Sequence, residues 1–279
     1  VANQAVAKRA AEGQADIDTV ILNYALTLEH LENAFYKQLP SAAAFKKAGY
    51  KSAVHKRFQQ ISAHEASHVK FLTTALGDKA VAACEYNFGD ISKPATFVAT
   101  SILLEGVGVS AYLGAAANIT NPAYLTAAGS ILTTESRHST WVQNYAAQKD
   151  PFGAAYDAPL NFNQTYSLAA PLIKKCPDSN AALPVVAFPA ASISPAAPKM
   201  GQQVTITSEK LSEAGSVGFI TGGATAIVPI NNGKVTLPSA VQGGRTYGVL
   251  LKGTPSAITD DSTVAGPFAF DIFYTPDQA

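Results

Sequence analysis

The chain has 279 residues, 47% of them hydrophobic and 14% charged, and its twenty basic and twenty acidic side chains cancel to a formal net charge of zero. That balance lacks the electrostatic footprint of a nucleic-acid binder, and apolar runs such as VGVSAYLGAAANI are broken by polar residues short of the ~20 that span a bilayer. A soluble protein is expected, with two domains at roughly 150 residues each.

In chain order, apolar residues first recur at three and four positions, the helical period. From about residue 14, Ile21, Leu22, Ala25, Leu28, Leu31, Phe35 and Leu39 trace a first helix to Pro40. A second runs from about Ser52 to Leu76 and stops at Gly77, where glycine can take the left-handed conformation that ends helices. A third follows Pro94 to about Ala117, and a fourth extends from near Pro122 to near Lys149. Residues 150–182 hold the turn-rich DPFGAAYDAPLNF and a short helix, QTYSLAAPLIKK, expected to wrap or plug the bundle. From Leu183 the text changes to short β-rich runs divided by Gly, Pro and Asn, among them QQVTITS, SVGFITG and TYGVLLKG. The expected organisation is a four-helix bundle over residues 1–182 and an antiparallel, immunoglobulin-like β-sandwich over 183–279. No Asp, His or Cys cluster stands out in the sandwich, so no chemistry is assigned to it.

Two alignments of the helices against each other carry the functional reading. Helices one and three share a glutamate followed seven residues later by a tyrosine, Glu29 with Tyr36 and Glu105 with Tyr112. Helices two and four share IxxxExxHxx[FW][LV], which pairs Glu65 with Glu135, His68 with His138 and Phe71 with Trp141. The bundle reads as two related helical hairpins. Residues at i and i+3 lie on one helix face, so each ExxH offers a carboxylate and an imidazole to one point. Four carboxylates gathered among apolar neighbours repel one another and are costly to bury, a conflict that two divalent cations remove. One ExxH alone reads as a solvated surface pair; two in register, with a glutamate on each intervening helix, reproduce the ligand pattern of ferritin-like carboxylate bundles.

Glu32 falls on the same heptad stripe as Glu29, while Gly108 takes its place in the repeat. Its readings are a supplementary ligand, an acceptor behind a histidine, or a rim residue. Tyr36 and Tyr112 read either as hydrogen-bonding caps of the site or as ordinary core aromatics. His30, His55 and His64 have no counterpart in the repeat and read as surface histidines. Cys84 and Cys176 both follow predicted helices beside turn residues and are candidates for a disulfide, with free thiols of a cytosolic protein as the alternative. Asn118 and Asn163 head Asn-x-Thr tripeptides, glycan acceptors on a secretory route.

ALTLEHLENAFY, HEASH, LLEGVG and ESRH, with YDAPLNF and the CP at Cys176, resemble the secreted ferritin-like proteins of fungi and plants described as desiccation-related or stress-response proteins. The resemblance spans roughly residues 14–178. It implies an up-down bundle with one long crossover and a dinuclear iron or manganese centre on Glu29, Glu65, His68, Glu105, Glu135 and His138, with zinc as a substitute. The expected activity is that of a secreted oxidoreductase acting on peroxide or dioxygen, without nucleic acid or membrane as partner. The alternative is a non-catalytic extracellular protein whose metals clamp the helices and whose sandwich binds a wall polymer or another protein. Acid-base catalysis by the bare carboxylates is the weaker third reading, because glycoside-type chemistry wants two carboxylates flanking an open cleft.

Overall fold

The computed structural model describes residues 16–273. Among these the chain forms two compact units, one of residues up to Lys149 with Pro171–Pro184, the other of Asp150–Ala170 with the residues from Val185 onward.

The first unit is built on four long helices: α1 (Ile17–Tyr36), α3 (Ser52–Leu76), α4 (Pro94–Ala115) and α5 (Pro122–Trp141), with a single short turn of helix, α2 (Ala42–Lys47), between the first two. Three of the five, α2, α4 and α5, begin where the sequence supplies a start signal. Ser41 accepts from the Ala44 backbone N–H at the head of α2, Asn121 accepts from Ala123 at the head of α5, and Pro94 and Pro122 occupy first-turn positions where no N–H is needed. Helix α3 stops at Gly77, which has a φ of 58°. Helix α1 packs chiefly along α3, and α4 along α5, so the two hairpins of the internal repeat are the two halves of the bundle. Between them runs the long connection from Gly77 to Lys93. It is tied down by strand β1 (Glu85–Tyr86) pairing with β2 (Ile173–Lys175), by Asn23, which donates to Lys79 O and accepts from Val81 N, and by a disulfide between Cys84 and Cys176.

Three expectations change here. Residues 173–175, read as the end of a short helix, are strand β2, because β1 offers them a partner that propensity cannot see. The short helix itself is confined to α6 (Phe162–Ala169), opened by a capping box of Asn161 and Gln164. The apolar stretch expected to fall short of a membrane span is longer: residues 94–118 are one helical segment long and apolar enough to cross a membrane, and most of its apolar part is buried in this unit. Its small and apolar residues face neighbouring helices on most sides, which removes the polar face that a surface helix would show.

The second unit is sandwich-like. Strands β3 (Ser192–Ser194), β4 (Gln203–Thr207) and β7 (Lys234–Thr236) form one antiparallel sheet in the order 3-4-7. Strands β5 (Ser216–Thr221), β6 (Ala224–Pro229), β8 (Gly244–Leu251) and β9 (Thr263–Ile272) form another in the order 6-5-8-9. The chain changes sheet at β4–β5, β6–β7 and β7–β8, the crossing connections of an immunoglobulin-like arrangement. Alternate residues of β4, Val204 and Ile206, meet Val217, Phe219, Leu250, Phe268 and Phe270 in one apolar core. The two-residue turn Gly222–Gly223 joins β5 to β6; a Cβ at Gly222 would stand 1.9 Å from the Tyr156 carbonyl oxygen, so no other residue fits.

The segment expected to plug the helical bundle belongs to this second unit instead. Helix α6 packs on β9, and the side chains of Asn161 and Asn163 both donate to Asp260, at 2.9 and 2.7 Å. The single boundary drawn at residue 182 therefore becomes an exchange, with 150–170 on the β side and 171–184 returning to the helices. The glycan reading loses support for the same reason. Asn163 Nδ2 donates to Asp260, and Asn118 Nδ2 is buried, so neither acceptor nitrogen is free in the folded chain.

Candidate metal centre

Glu29 comes from α1, Glu65 and His68 from α3, Glu105 from α4, and Glu135 and His138 from α5. All four glutamates are fully buried, with relative exposures of 0%, and His138 is buried as well. Two overlapping groups emerge, in each of which one ligand atom per residue lies within 4.8 Å of the others: Glu29, Glu65, His68 and Glu135 in one, Glu65, Glu105, Glu135 and His138 in the other. Glu65 and Glu135 belong to both. The i, i+3 spacing explains the arrangement, since each ExxH turns its carboxylate to the shared centre and its imidazole to one side of it.

The contacts inside the cluster do not satisfy ordinary hydrogen bonding. His68 Nδ1 stands 3.3 Å from Glu29 Oε2, 3.2 Å from Glu65 Oε2 and 3.3 Å from Glu135 Oε1. His138 Nδ1 lies 3.1 Å from Glu65 Oε1 and 3.3 Å from Glu105 Oε2. One ring nitrogen carries at most one proton and can aim it at one oxygen, not three. Glu29 Oε2, Glu65 Oε1, Glu105 Oε2, both oxygens of Glu135 and His138 Nδ1 accordingly remain buried without a hydrogen bond. Orphaned buried acceptors are rare in folded proteins and ask for a reason. A cation is the partner that several oxygens and one nitrogen can approach at once, so the residues present fit a pair of metal ions.

The remaining oxygens of the two terminal glutamates are held by the repeat itself. Tyr112 on α4 donates to Glu29 Oε1 on α1 at 2.5 Å, and Tyr36 on α1 donates to Glu105 Oε1 on α4 while lying 2.7 Å from Ser101 Oγ. The two tyrosines thus exchange partners between hairpins and act as caps of the carboxylates, the first of the two readings open to them. Burial, then the adjacent carboxylate, pushes both phenols up and keeps them as donors.

Electrostatics follow the same logic. Burial drives the Glu29 carboxyl up to about 7 against the pull of the His68 imidazole 3.3 Å away, and drives Glu135 well above the carboxylate range, with Glu65 and Glu105 adding repulsion. Burial would raise Glu65 too, but the close approach of the His138 and His68 imidazoles outweighs it and brings it down to about 2. Burial opposes charge on the histidines, yet the carboxylates on their Nδ1 atoms lift His68 to about 12 and His138 to about 9.

Glu32 points inward, only 4% exposed, and lies outside both ligand groups. Burial and then the charges of Glu135, Glu65, Glu105 and Glu29 raise it well above the usual range. Gly108 makes room for it: a Cβ there would come within 3.2 Å of both Glu32 Oε1 and Glu135 Oε2.

His64 is the residue that sequence reasoning missed. It is half-buried rather than on the surface, and its Nδ1 lies 2.9 Å from His138 Nε2 with the two rings stacked. The signal was present, because His64 precedes His68 by four residues and so shares its helix face. His30, bonded through Nε2 to Val81 O at 3.1 Å, and His55, edge-on to Phe45, are half-buried structural residues.

The sequence model of the ferritin-like domain family matches residues 17–148. Those residues are a ferritin-like domain. The match starts at the first residue of α1 and ends beyond α5, so it takes in all six ligand-type residues and the His64 contact. No curated protein sequence matches the chain. The β-rich unit lies outside the ferritin-like match, and among the described residues it holds no group of His, Cys, Asp and Glu with metal-binding spacing.

Proposed function

We propose that the protein is a secreted dimetal-carboxylate oxidoreductase of the ferritin-like group, acting on peroxide or dioxygen and kin to the desiccation-related and stress-response proteins it resembles. The observation that carries this reading is the pair of ligand groups sharing Glu65 and Glu135 inside an apolar bundle. Glu29 and His68 would complete one subsite, Glu105 and His138 the other, with iron or manganese suited to the mixed oxygen and nitrogen donors. Bound there, two such ions supply Lewis acidity and electrons for the reduction or disproportionation of an oxygen species.

The chain's own residues then have definite tasks. Two divalent cations balance four carboxylates, which lets the glutamates stay ionised where water is scarce. Tyr36 and Tyr112 fix the terminal glutamates by holding one oxygen each and leaving the other turned to the cluster. His138 can use Nδ1 as a ligand only in the tautomer that carries its proton on Nε2; that N–H donates to His64 Nδ1, and the stacked pair fixes the ring. The disulfide supports an oxidising compartment.

Loading with iron(II) or manganese(II) should yield two ions per chain and consumption of peroxide or of oxygen with a reductant. Two bound ions with no turnover under any reductant, together with a large loss of thermal stability on chelation, would instead establish the clamp reading. Recognition of a wall polymer or protein is the role that we assign to the β-rich unit; its isolated failure to bind any wall fraction would remove that part alone.

A further inference from the structure

The outer side of the two histidines is not sealed. A cleft of about 540 Å³ opens between α3 and α5, lined by Arg57, Ile61, His64 and His68 from one helix and by Arg137, His138 and Trp141 among those from the other. The α3 residues follow one another at four, three and four positions, a single helical stripe, so the cleft is built by one face of each helix. Its volume lies within the ~300–1,000 Å³ that holds organic ligands and far exceeds the need of a two-oxygen molecule.

Three features give the cleft a chemical preference. Arg57 donates to Gln60 Oε1 at 2.7 Å and Arg137 to Thr134 Oγ1 at 2.9 Å; among the described residues neither guanidinium pairs with a carboxylate, and each keeps further N–H groups free. Five buried glutamates crowd the bundle interior, yet no carboxylate lines the cleft. His68, with Nδ1 committed to the cluster, keeps Nε2 on the opposite edge of its ring without a partner among the described residues, whereas the matching nitrogen of His138 is taken by His64.

We propose that this cleft binds a small organic molecule bearing an oxyanion, clasped by Arg57 and Arg137 and seated against the outer nitrogen of His68. Paired guanidinium groups recognise carboxylate and phosphate oxygens by charge-assisted, often bidentate hydrogen bonds. The site names the substrate class that the metal centre serves, and only that service rests on the dimetal reading; the binding itself does not.

Trp141 is the chain's single tryptophan and lines the cleft, so its fluorescence reports occupancy. Succinate, inorganic phosphate and neutral succinamide should be titrated at constant ionic strength into chelator-treated and manganese-loaded protein. A saturable change with succinate or phosphate, and none with succinamide, is expected in both metal states. Tighter binding of succinate marks a carboxylate ligand, and tighter binding of phosphate a phosphate ester. Arg57→Gln and Arg137→Gln should each raise the half-saturation concentration roughly 10-fold or more, the worth of one charge-assisted hydrogen bond, while Lys56→Gln, outside the lining, should not. A flat titration, an equal response to succinamide, or arginine variants that titrate like the wild type would overturn the proposal. Elemental analysis of the same samples separates the two ideas: two manganese ions with a flat titration sinks the cleft alone, and no metal with a saturable titration sinks the dimetal reading alone.

Discussion

Glu65 and Glu135 belong to both ligand groups, whereas Glu29 and Glu105 belong to one each. Glu65→Gln or Glu135→Gln should therefore abolish binding of both ions, and Glu29→Gln or Glu105→Gln should weaken one subsite and leave the other, a stoichiometry that elemental analysis reads directly. Proton linkage gives a second test. Glu29, raised to about 7, stabilises the metal-free fold fully below pH 4.5 and loses that contribution as pH climbs to 7. His138 and His68, raised to about 9 and 12, contribute fully below pH 6.5 and progressively less above it. Glu65, lowered to about 2, contributes at a constant level above pH 4.5 and loses it progressively as pH falls from 4.5 through 2. Metal-free protein should thus lose stability from pH 4.5 to 9, while the loaded protein's advantage over it grows, because ligands must shed protons to bind. Melts at pH 5, 7 and 8.5 with and without chelator check both trends; a stripped protein that gains stability with pH would contradict the buried cluster. The six ligand-type residues were legible because two in-register copies of one pattern are improbable without a shared purpose. For His64 only the helix face was legible, since its partner His138 lies on the other hairpin and only the fold brings them to 2.9 Å.

At the scale of elements, the internal repeat foretold the pairing of helices, and its one asymmetry can be tested. Gly108 in α4 replaces the counterpart of Glu32, and the space that a Cβ would take lies against the Glu32 and Glu135 carboxylates. Alanine is the better helix former by ~1 kcal/mol, so Gly108→Ala should leave the metal-free fold as stable as before or more so. Metal affinity should move the other way, by roughly 10-fold, because Glu135 serves both subsites and has to shift by a few tenths of an ångström. Equal metal affinity in a competition assay would show that Glu135 adjusts freely and does not hold a fixed ligand position. Long helices and the β-rich grammar were readable from period, since three-four spacing and short Gly- and Pro-bounded runs are local properties. Strand β2 and the attachment of α6 to β9 were not, because each depends on a partner far along the chain.

For the whole molecule, the two compact units confine the six ligand-type residues and the disulfide to the same one. Cys84 and Cys176 close a loop with a sequence separation of 92, both ends in the helical unit, and the chain-entropy estimate for a loop of that length is ~4–5 kcal/mol. Ions held by the proposed site would add to the same unit, because ligands gathered from four helices exist together only in the folded state. The β-rich unit carries neither device among the described residues and rests on its apolar core. Calorimetry of the loaded protein should accordingly resolve a transition that falls on chelation and falls again on reduction, the reduction step amounting to roughly 10 °C for a unit of this size. A second transition, belonging to the strands, should hold its temperature through both treatments. Replacing both cysteines by alanine should reproduce the reduced curve while leaving two ions bound, because neither sulfur takes part in the ligand groups. If chelation instead lowered both transitions together, the ions would have to stabilise more of the chain than the bundle that supplies their ligands.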